Sequence, residues 1–384
     1  MNVLASQLNM LKCDTLKRNK MATLIVNTNR LKENIIKLSS FLAENSIDWS
    51  LVVKILGGNR PLLEKLICDD SIKKVHSVGD SRISNLKTIK EIKPDIVTMY
   101  IKPPAPVLAK KIVQYADISL NTSYTTIEAL NREAERLGKT HRVIIMIELG
   151  ELREGILRDN VLSFYEKLFG LKNIKIEGLG TNLGCMYGVE PTYDKMVQLS
   201  LYKMLIEEKF NKKLNLVSAG SSITLPLVMR KKLPDGINHF RIGETAFLGV
   251  SIIDGKRFKN LSNNAFDFSA EILELEEKEM IPDGNLTDAS IGITAHDFQG
   301  DHNIDINKKS YRAIVDFGEI DVDPTHISPK DESVKFIGTT SDMTVYDTGE
   351  KKGKFSVGKQ IHFKPNYMAV ARLMNTKYVT KEIL

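Results

Sequence analysis

The sequence is poor in the residues that staple, anchor or wire a protein. It has three cysteines, Cys13, Cys68 and Cys185, in 384 residues. They are too few and too scattered for a disulfide framework or a cysteine-rich metal centre, and they fit a reducing, cytoplasmic compartment. No apolar run approaches the roughly 18 residues that a membrane-spanning helix needs, so no membrane partner is expected. Charge of one sign is scarce as well: 54 Lys and Arg face 48 Asp and Glu, a net +6, with no long basic block. A nucleic-acid partner is therefore not expected. No GxGxxG follows the first strand-like run, which counts against a dinucleotide-binding sheet. Residues 1–20 carry Lys12, Lys17, Arg18 and Lys20 but no continuous apolar stretch ahead of a small-residue cleavage site. They read as a loose N-terminal extension and not as a secretory signal.

What is present is ordinary for a globular protein: 42% apolar and 27% charged residues, in a chain long enough for two or three domains. The compact part begins at Met21 with the strand-like run Thr23–Val26. A helix follows, with Leu31, Ile35, Leu38 and Leu42 at helical spacing and Asn27 or Asn29 as its cap. Short β-branched runs then alternate with amphipathic segments. The runs are Leu51–Lys54, Lys74–Val78, Ile96–Tyr100, Ile118–Leu120, Val143–Glu148, Ile174–Gly180, Leu214–Val217 and Phe240–Ile242. Val197, Leu201, Met204 and Leu205 mark one of the helical stripes between them. Eight strands alternating with helices predict an α/β fold, a parallel (β/α)8 TIM barrel over residues 21–265, whose first strand can pack instead with the C-terminal domain. From residue 266 the helical period fades. Strand-like runs at Ser269–Leu275, Tyr311–Asp316, Val334–Ile337, Met343–Tyr346 and Gln360–Phe363, separated by turn residues, predict a smaller, mostly β C-terminal domain over 266–384.

Catalytic groups of such a barrel sit at the C-terminal ends of its strands. Those positions carry Lys54, Arg153, Thr181 and Asn182, the turn Ser218–Ser222, and Arg241. A lysine at a strand mouth usually snorkels to solvent. In a dry site it can stay partly unprotonated and form a Schiff base. The hydroxyl-rich Ser218-Ala219-Gly220-Ser221-Ser222, entering a helix after the seventh strand, suits a phosphate or a plain N-cap. Arg153 and Arg241 read as structural ion pairs or as anion clamps. Cys185 reads as a small buried apolar group unless cations surround it. His296, Asp297, Asp301 and His302 match no metal-ligand spacing and read as a polar loop, so no metal is expected.

Taken together, Val53-Lys54 with Gly58-Asn59, the segment Glu148–Gly155, Thr181-Asn182-Leu183, Ser218–Ser222 and His239–Gly243 fall in the order and on the strands of a known family. The chain resembles the fold-type III, pyridoxal 5'-phosphate-dependent amino-acid racemases of the alanine racemase type, and within them the ornithine racemase branch, from about residue 21 to the C-terminus. The resemblance implies that Lys54 holds the cofactor as the internal aldimine and serves as one base. It implies that Ser221, Ser222, the backbone at Gly243 and Tyr367 hold the phosphate, that Arg241 faces the pyridine nitrogen, and that Arg153 lies near the phenolic oxygen or the substrate carboxylate. Asn182 stands where alanine racemases carry a His behind that arginine. A homodimer with shared active sites is also implied. A guanidinium keeps its proton, so the pyridine nitrogen would stay unprotonated and the ring would be a modest electron sink.

Two positions depart from alanine racemases. The C-terminal region that supplies their tyrosine base reads Pro282–Ser290 without a Tyr, which leaves Asp288 and Cys185 as candidates for the second base. Met146 stands where many carry a modified lysine, so orienting Arg153 falls to Glu148 or Glu151. Glu319, Asp321 and Asp342 lie where the resemblance puts the substrate entrance, and acids there suit an amino acid with a distal ammonium. The leading expectation is thus a racemase of ornithine or another basic amino acid. Alternatives are an alanine racemase, a D-amino-acid dehydratase or aldolase, and a non-catalytic cofactor-binding homeostasis protein. The dehydratase reading expects a metal held by His and Cys, and no Cys follows Cys185.

Overall fold

The computed structural model describes residues 21–284, 292–295 and 309–384. The candidates Asp288, His296, Asp297, Asp301 and His302 lie outside the described residues, as does the segment 1–20. The described chain divides into two compact units. One is Thr28–Ala265; the other joins the N-terminal strand β1 (Thr23–Val26) to Phe266–Leu384.

The first unit is a closed parallel barrel of eight strands. They are β2 (Asp48–Val52), β3 (Ser77–Asp80), β4 (Thr98–Tyr100), β5 (Ile118–Asn121), β6 (His141–Met146), β7 (Ile174–Gly180), β8 (Leu216–Gly220) and β9 (His239–Ile242). β2 closes the ring by pairing with both β3 and β9, Leu51 lying beside Val78 on one side and Ile242 on the other. Helices follow the strands because apolar residues recur there at helical spacing. The helix Thr28–Ala43 buries Leu31, Ile35, Leu38 and Leu42 as its period predicts. The helix Tyr193–Phe210 does not follow the stripe read from its sequence. It buries Met196, Leu199 and Ile206, whereas Leu201, Met204 and Leu205 are exposed. Apolar residues surround this helix, so their spacing alone does not select the face that packs.

Polar groups thread the barrel interior, and the histidine rings there are hydrogen-bonded because an unpaired one would be costly. The buried His239 ring meets Ser50 Oγ at Nε2 (2.9 Å) and Ser218 Oγ at Nδ1 (2.7 Å), and Ser50 Oγ in turn meets Ser77 Oγ at 2.6 Å. His141 Nε2 meets Ser119 Oγ at 2.8 Å. Burial holds His239 well below the usual histidine range and His141 at about 4, so both rings are neutral.

The second unit is a mostly antiparallel sheet built on one long strand, β10 (Phe266–Glu279). β10 pairs with β1 near its start and, past a register shift between Ile272 and Glu274, with β12 (Lys309–Val315). β1 also pairs in parallel with β17 (Thr380–Ile383), so the first described strand belongs to the C-terminal sheet. The remaining strands are β11 (Ile293–Thr294), β13 (Ile327–Pro329), β14 (Lys335–Thr339), β15 (Thr344–Asp347) and β16 (Gln360–Pro365). Phe268, Phe317, Tyr346 and Phe363 form its aromatic core, with ring centroids 5.1–5.8 Å apart for the pairs that include Phe268–Phe317 and Phe268–Phe363.

Candidate active site

The strand ends of the barrel bring most of the sequence-predicted residues to one mouth. Lys54 is one step removed from its expected place. β2 stops at Val52, Val53 N–H donates to Gly79 O (2.9 Å), and Lys54 opens a single 3-10 turn, Lys54–Leu56. The lysine is exposed there, beside the end of β3. Its positive charge reaches Glu244, whose carboxyl burial pushes up and Lys54 pulls down.

Ser218 and Gly220 lie inside β8 and not beyond it, so the turn begins only at Ser221. Ser221 caps the 3-10 turn Ser222–Thr224 through a reciprocal bond with Thr224. The N–H groups of Ser222 and Ile223 open that turn and have no earlier carbonyl within it. Ser222 Oγ accepts the N–H of Thr245 (3.2 Å), which ties this turn to Gly243, the cap of the next short helix, Glu244–Leu248. A Cβ at Gly243 would approach Val52 O to 3.0 Å, so the backbone there comes close to β2.

Arg241 is buried on β9. Its Nη1 donates to Ser218 O (2.7 Å) and to Ser218 Oγ, and its Nη2 donates to Thr181 O and Asn182 Oδ1, both at 2.7 Å. None of these bonds uses Nε. Burial brings the guanidinium down to about 10, with Glu154 raising it and Arg153 lowering it, so it stays charged at neutral pH. Asn182 passes the chain on, its Nδ2 donating to Glu154 Oε1.

Arg153 corrects an expectation. Neither Glu148 nor Glu151 holds its guanidinium. Glu154 does, in a two-pronged contact: Arg153 Nε donates to Oε2 and Nη2 to Oε1, the second at 2.7 Å. Glu148 accepts only the backbone N–H of Arg153 (3.2 Å) and of Gly150. Glu151 is 1% exposed and serves a different loop, accepting the N–H groups of Gly184 (2.9 Å), Cys185 (2.9 Å), Tyr187 (2.8 Å) and Val189 (3.2 Å). Burial raises its carboxyl, but these donors prevail and hold it below the usual range. The loop that carries all three acids is closed by a bridge between Ile147 and Ile156. Gly155 makes that closure possible, since a Cβ at its φ of 155° would strike the backbone of Glu148.

Cys185 is not the buried apolar group its sequence suggests. It is exposed, on the loop that Glu151 pins, and Arg153 Nη1 donates to its Sγ. The structure thus assembles Cys185, Arg153, Glu154, Asn182 and Arg241 into one hydrogen-bonded chain. Sequence reading singled out four of them and missed Glu154, whose only signal was its place beside Arg153.

The acids of the β unit lie on two adjoining loops, with Glu319 N–H donating to Thr340 O (2.9 Å) and Ile320 N–H to Ser341 O (3.0 Å). Glu319 lies 3.8 Å from Arg372, and burial pushes its carboxyl up. Asp321 accepts Thr376 Oγ1 (3.1 Å), and Asp342 is exposed. Tyr367 is half-buried at the start of the helix Tyr367–Asn375, which Asn366 caps through Ala369 N–H (3.1 Å). Among the described residues no group of three or more His, Cys, Asp or Glu converges as a metal site, and no helix is long and apolar enough to cross a membrane.

The family described as alanine racemase, N-terminal domain, matches residues 26–250. An ornithine racemase of Acetoanaerobium sticklandii is 32% identical over 371 residues, 94% of this chain and 98% of that protein. A lysine racemase of Thermotoga maritima is 26% identical over 360 residues, 93% of this chain and 97% of that one. Among solved structures, an alanine racemase of Clostridium difficile 630 superposes with a TM-score of 0.71 at 16% identity, covering 96% of this chain and 97% of its own; at that identity the likeness bears on the fold.

Proposed function

This chain belongs to the alanine racemase family, and from that premise we propose that it is a pyridoxal 5'-phosphate-dependent racemase of basic amino acids, with ornithine as the first substrate to test. The observation that carries the reading is the set of strand-end groups gathered at one barrel mouth: Lys54, the Ser221–Ser222 turn tied to Gly243, and the buried Arg241. The near-complete coverage of the ornithine and lysine racemases supports the substrate class.

The residues present fit the cofactor. Lys54 would supply the amine that holds the cofactor, and the hydroxyls and N–H groups at Ser221, Ser222 and Gly243 would make a donor set for its phosphate. Arg241, whose bonds run from Nη1 and Nη2, would offer Nε to the ring nitrogen. When bound, pyridoxal phosphate supplies the electron sink that makes a Cα–H acidic. Lys54 then takes or returns that proton on one face. On the other face we assign the proton to Cys185. A thiol works through its thiolate, and the guanidinium of Arg153 is the counter-charge that a thiolate there would meet. Arg241, charged at neutral pH, donates hydrogen bonds without giving up its proton, so a ring nitrogen held there would stay unprotonated. For Asp288 at the second face, Tyr367 at the phosphate, and Glu319, Asp321 and Asp342 toward a distal ammonium, the resemblance alone supports a role. It also supports a homodimer with shared active sites. Cytoplasmic residence rests on the sparse cysteines.

The test is incubation of the protein with pyridoxal phosphate and L-ornithine, L-lysine and L-alanine separately in heavy water, followed by chiral chromatography with mass detection. Both enantiomers of ornithine or lysine should appear with deuterium at Cα, and Lys54→Ala should lose both the turnover and the covalent cofactor. Exchange on alanine alone would replace the substrate class. Keto acids or cleaved aldehydes would replace the reaction.

A further inference from the structure

We propose that Glu154 is the shared counter-charge of the two active-site guanidiniums, a positioning residue that orients Arg153 directly and Arg241 through Asn182. The inference rests on the racemase reading above and deepens it.

The argument starts from charge. Arg241 is 6% exposed, and its side-chain bonds go to two carbonyls, a hydroxyl and an amide oxygen. Those acceptors are dipoles. They satisfy its donors but do not neutralise it, and an uncompensated buried cation is costly. The nearest formal negative charge along its hydrogen-bonded chain is one amide away. Asn182 takes the Arg241 donor on Oδ1 and offers Nδ2 to Glu154 Oε1. Glu154 is itself largely dry, with a side chain 8% exposed. Its other contacts are the two prongs to Arg153.

The residue types follow from this geometry. A carboxylate can only accept and a guanidinium can only donate, so the group between them must donate at one end and accept at the other. Asn does both. A carboxylate at 182 would face Glu154 with a like charge. The neighbouring acids are committed elsewhere, Glu148 to backbone N–H groups and Glu151 to the 184–189 loop. Arg153 in turn has Nε and Nη2 fixed by Glu154, which leaves Nη1 pointing at Cys185. One carboxylate thereby sets the direction of the arginine on each side of the mouth and removes one unit from the positive potential that a bound cofactor would feel.

The experiment compares holoenzymes. Wild-type protein loaded with pyridoxal phosphate and freed of excess must first keep a visible absorbance band; losing it would sink the underlying reading and not this proposal alone. The pH midpoint of that band, the cofactor dissociation constant, and kcat separately from KM are then measured for three variants. Removing a nearby anion lowers the pKa of a cationic group, so Glu154→Gln should move the midpoint down by about one unit. Glu154→Asp, which keeps the charge, should stay close to wild type in midpoint. Asn182→Leu, which keeps the Arg153 pair but cuts the link to Arg241, should shift the midpoint less and in the same direction. A folded Glu154→Gln with the wild-type midpoint overturns the proposal. If that variant does not fold, Asn182→Leu decides: an unmoved midpoint overturns the coupling through Asn182.

Discussion

The side chain of Asn85 fills the space that a side chain on Gly58 would need. Gly58 has a φ of 73°, and a Cβ built on it would strike Asn85 Oδ1. Asn85 cannot easily withdraw, because its Nδ2 donates to the buried Asp80 Oδ2 (3.1 Å) at the end of β3. The loop that follows Lys54 is thus seated on the helix Ile83–Ile92, which follows β3. Gly58→Ala should cost about 1–3 kcal/mol, strain and collision together, read as a lower urea midpoint. Measured against an Asn85→Ala background, the added cost of Gly58→Ala should fall to the strain alone. Equal stability of Gly58→Ala and wild type would contradict this seating.

Glu151 should govern the loop that presents Cys185. Replacing it by Ala strips the acceptor from four backbone N–H groups. Hydrogen exchange at Gly184, Cys185, Tyr187 and Val189 should accelerate by at least tenfold, a local loss of more than about 1.4 kcal/mol. The pH dependence has a definite sign. The folded carboxyl lies below its ordinary 4.5, so this contribution is complete above that pH and is lost as pH falls through the lower folded value. Wild-type protection at these amides should fall in that acid window and nowhere above it.

His141 makes the barrel acid-sensitive at a higher pH. Burial holds it at about 4 in the folded chain, against 6.5 when free. The unfolded chain therefore takes up a proton first as pH falls. Stability is undiminished above 6.5 and declines between 6.5 and about 4, by roughly 3 kcal/mol at most for this one group. Thermal denaturation of His141→Gln should show a shallower decline over that window than wild type. An unchanged slope would mean that the ring is not held neutral.

The second proton carrier can be separated from the first by isotope exchange. If Cys185 serves one face, Cys185→Ala in heavy water should still exchange the Cα proton of one enantiomer while interconversion falls by about 100-fold or more. Asp288→Asn should then retain racemisation. The reverse pattern would move the role to Asp288.

Much of this site was legible in sequence because a barrel converts order into proximity. Eight apolar runs place Lys54, Asn182 and Arg241 at strand ends, and strand ends share one mouth. What stayed hidden lies in irregular backbone. The segment Glu148–Gly155 contains three glutamates, and Gly150, Leu152 and Gly155 all have positive φ. No period of 2 or 3.6 describes such a loop, so nothing in its spacing says which acid turns to Arg153 and which to the 184–189 loop. The helix Tyr193–Phe210 shows the same limit from the other side, where several faces are apolar and the pattern has no single answer. The exposure of Cys185 was likewise invisible, since it follows from where Glu151 anchors its loop.

The pairing of β1 with β17 sets an order of events during synthesis. Thr23 lies beside Thr380 and Val26 beside Ile383. The barrel unit needs nothing beyond Ala265 for its own strands, so it can close on the ribosome while the remainder is still being made. The strand ahead of it in the sequence pairs with β10 first and must wait, its other edge open, until β17 is made. A stalled or clipped chain that lacks residues 380–384 would hold a finished barrel and a strand paired with β10 on one edge only, and the bare edge would be the part a chaperone or protease meets first.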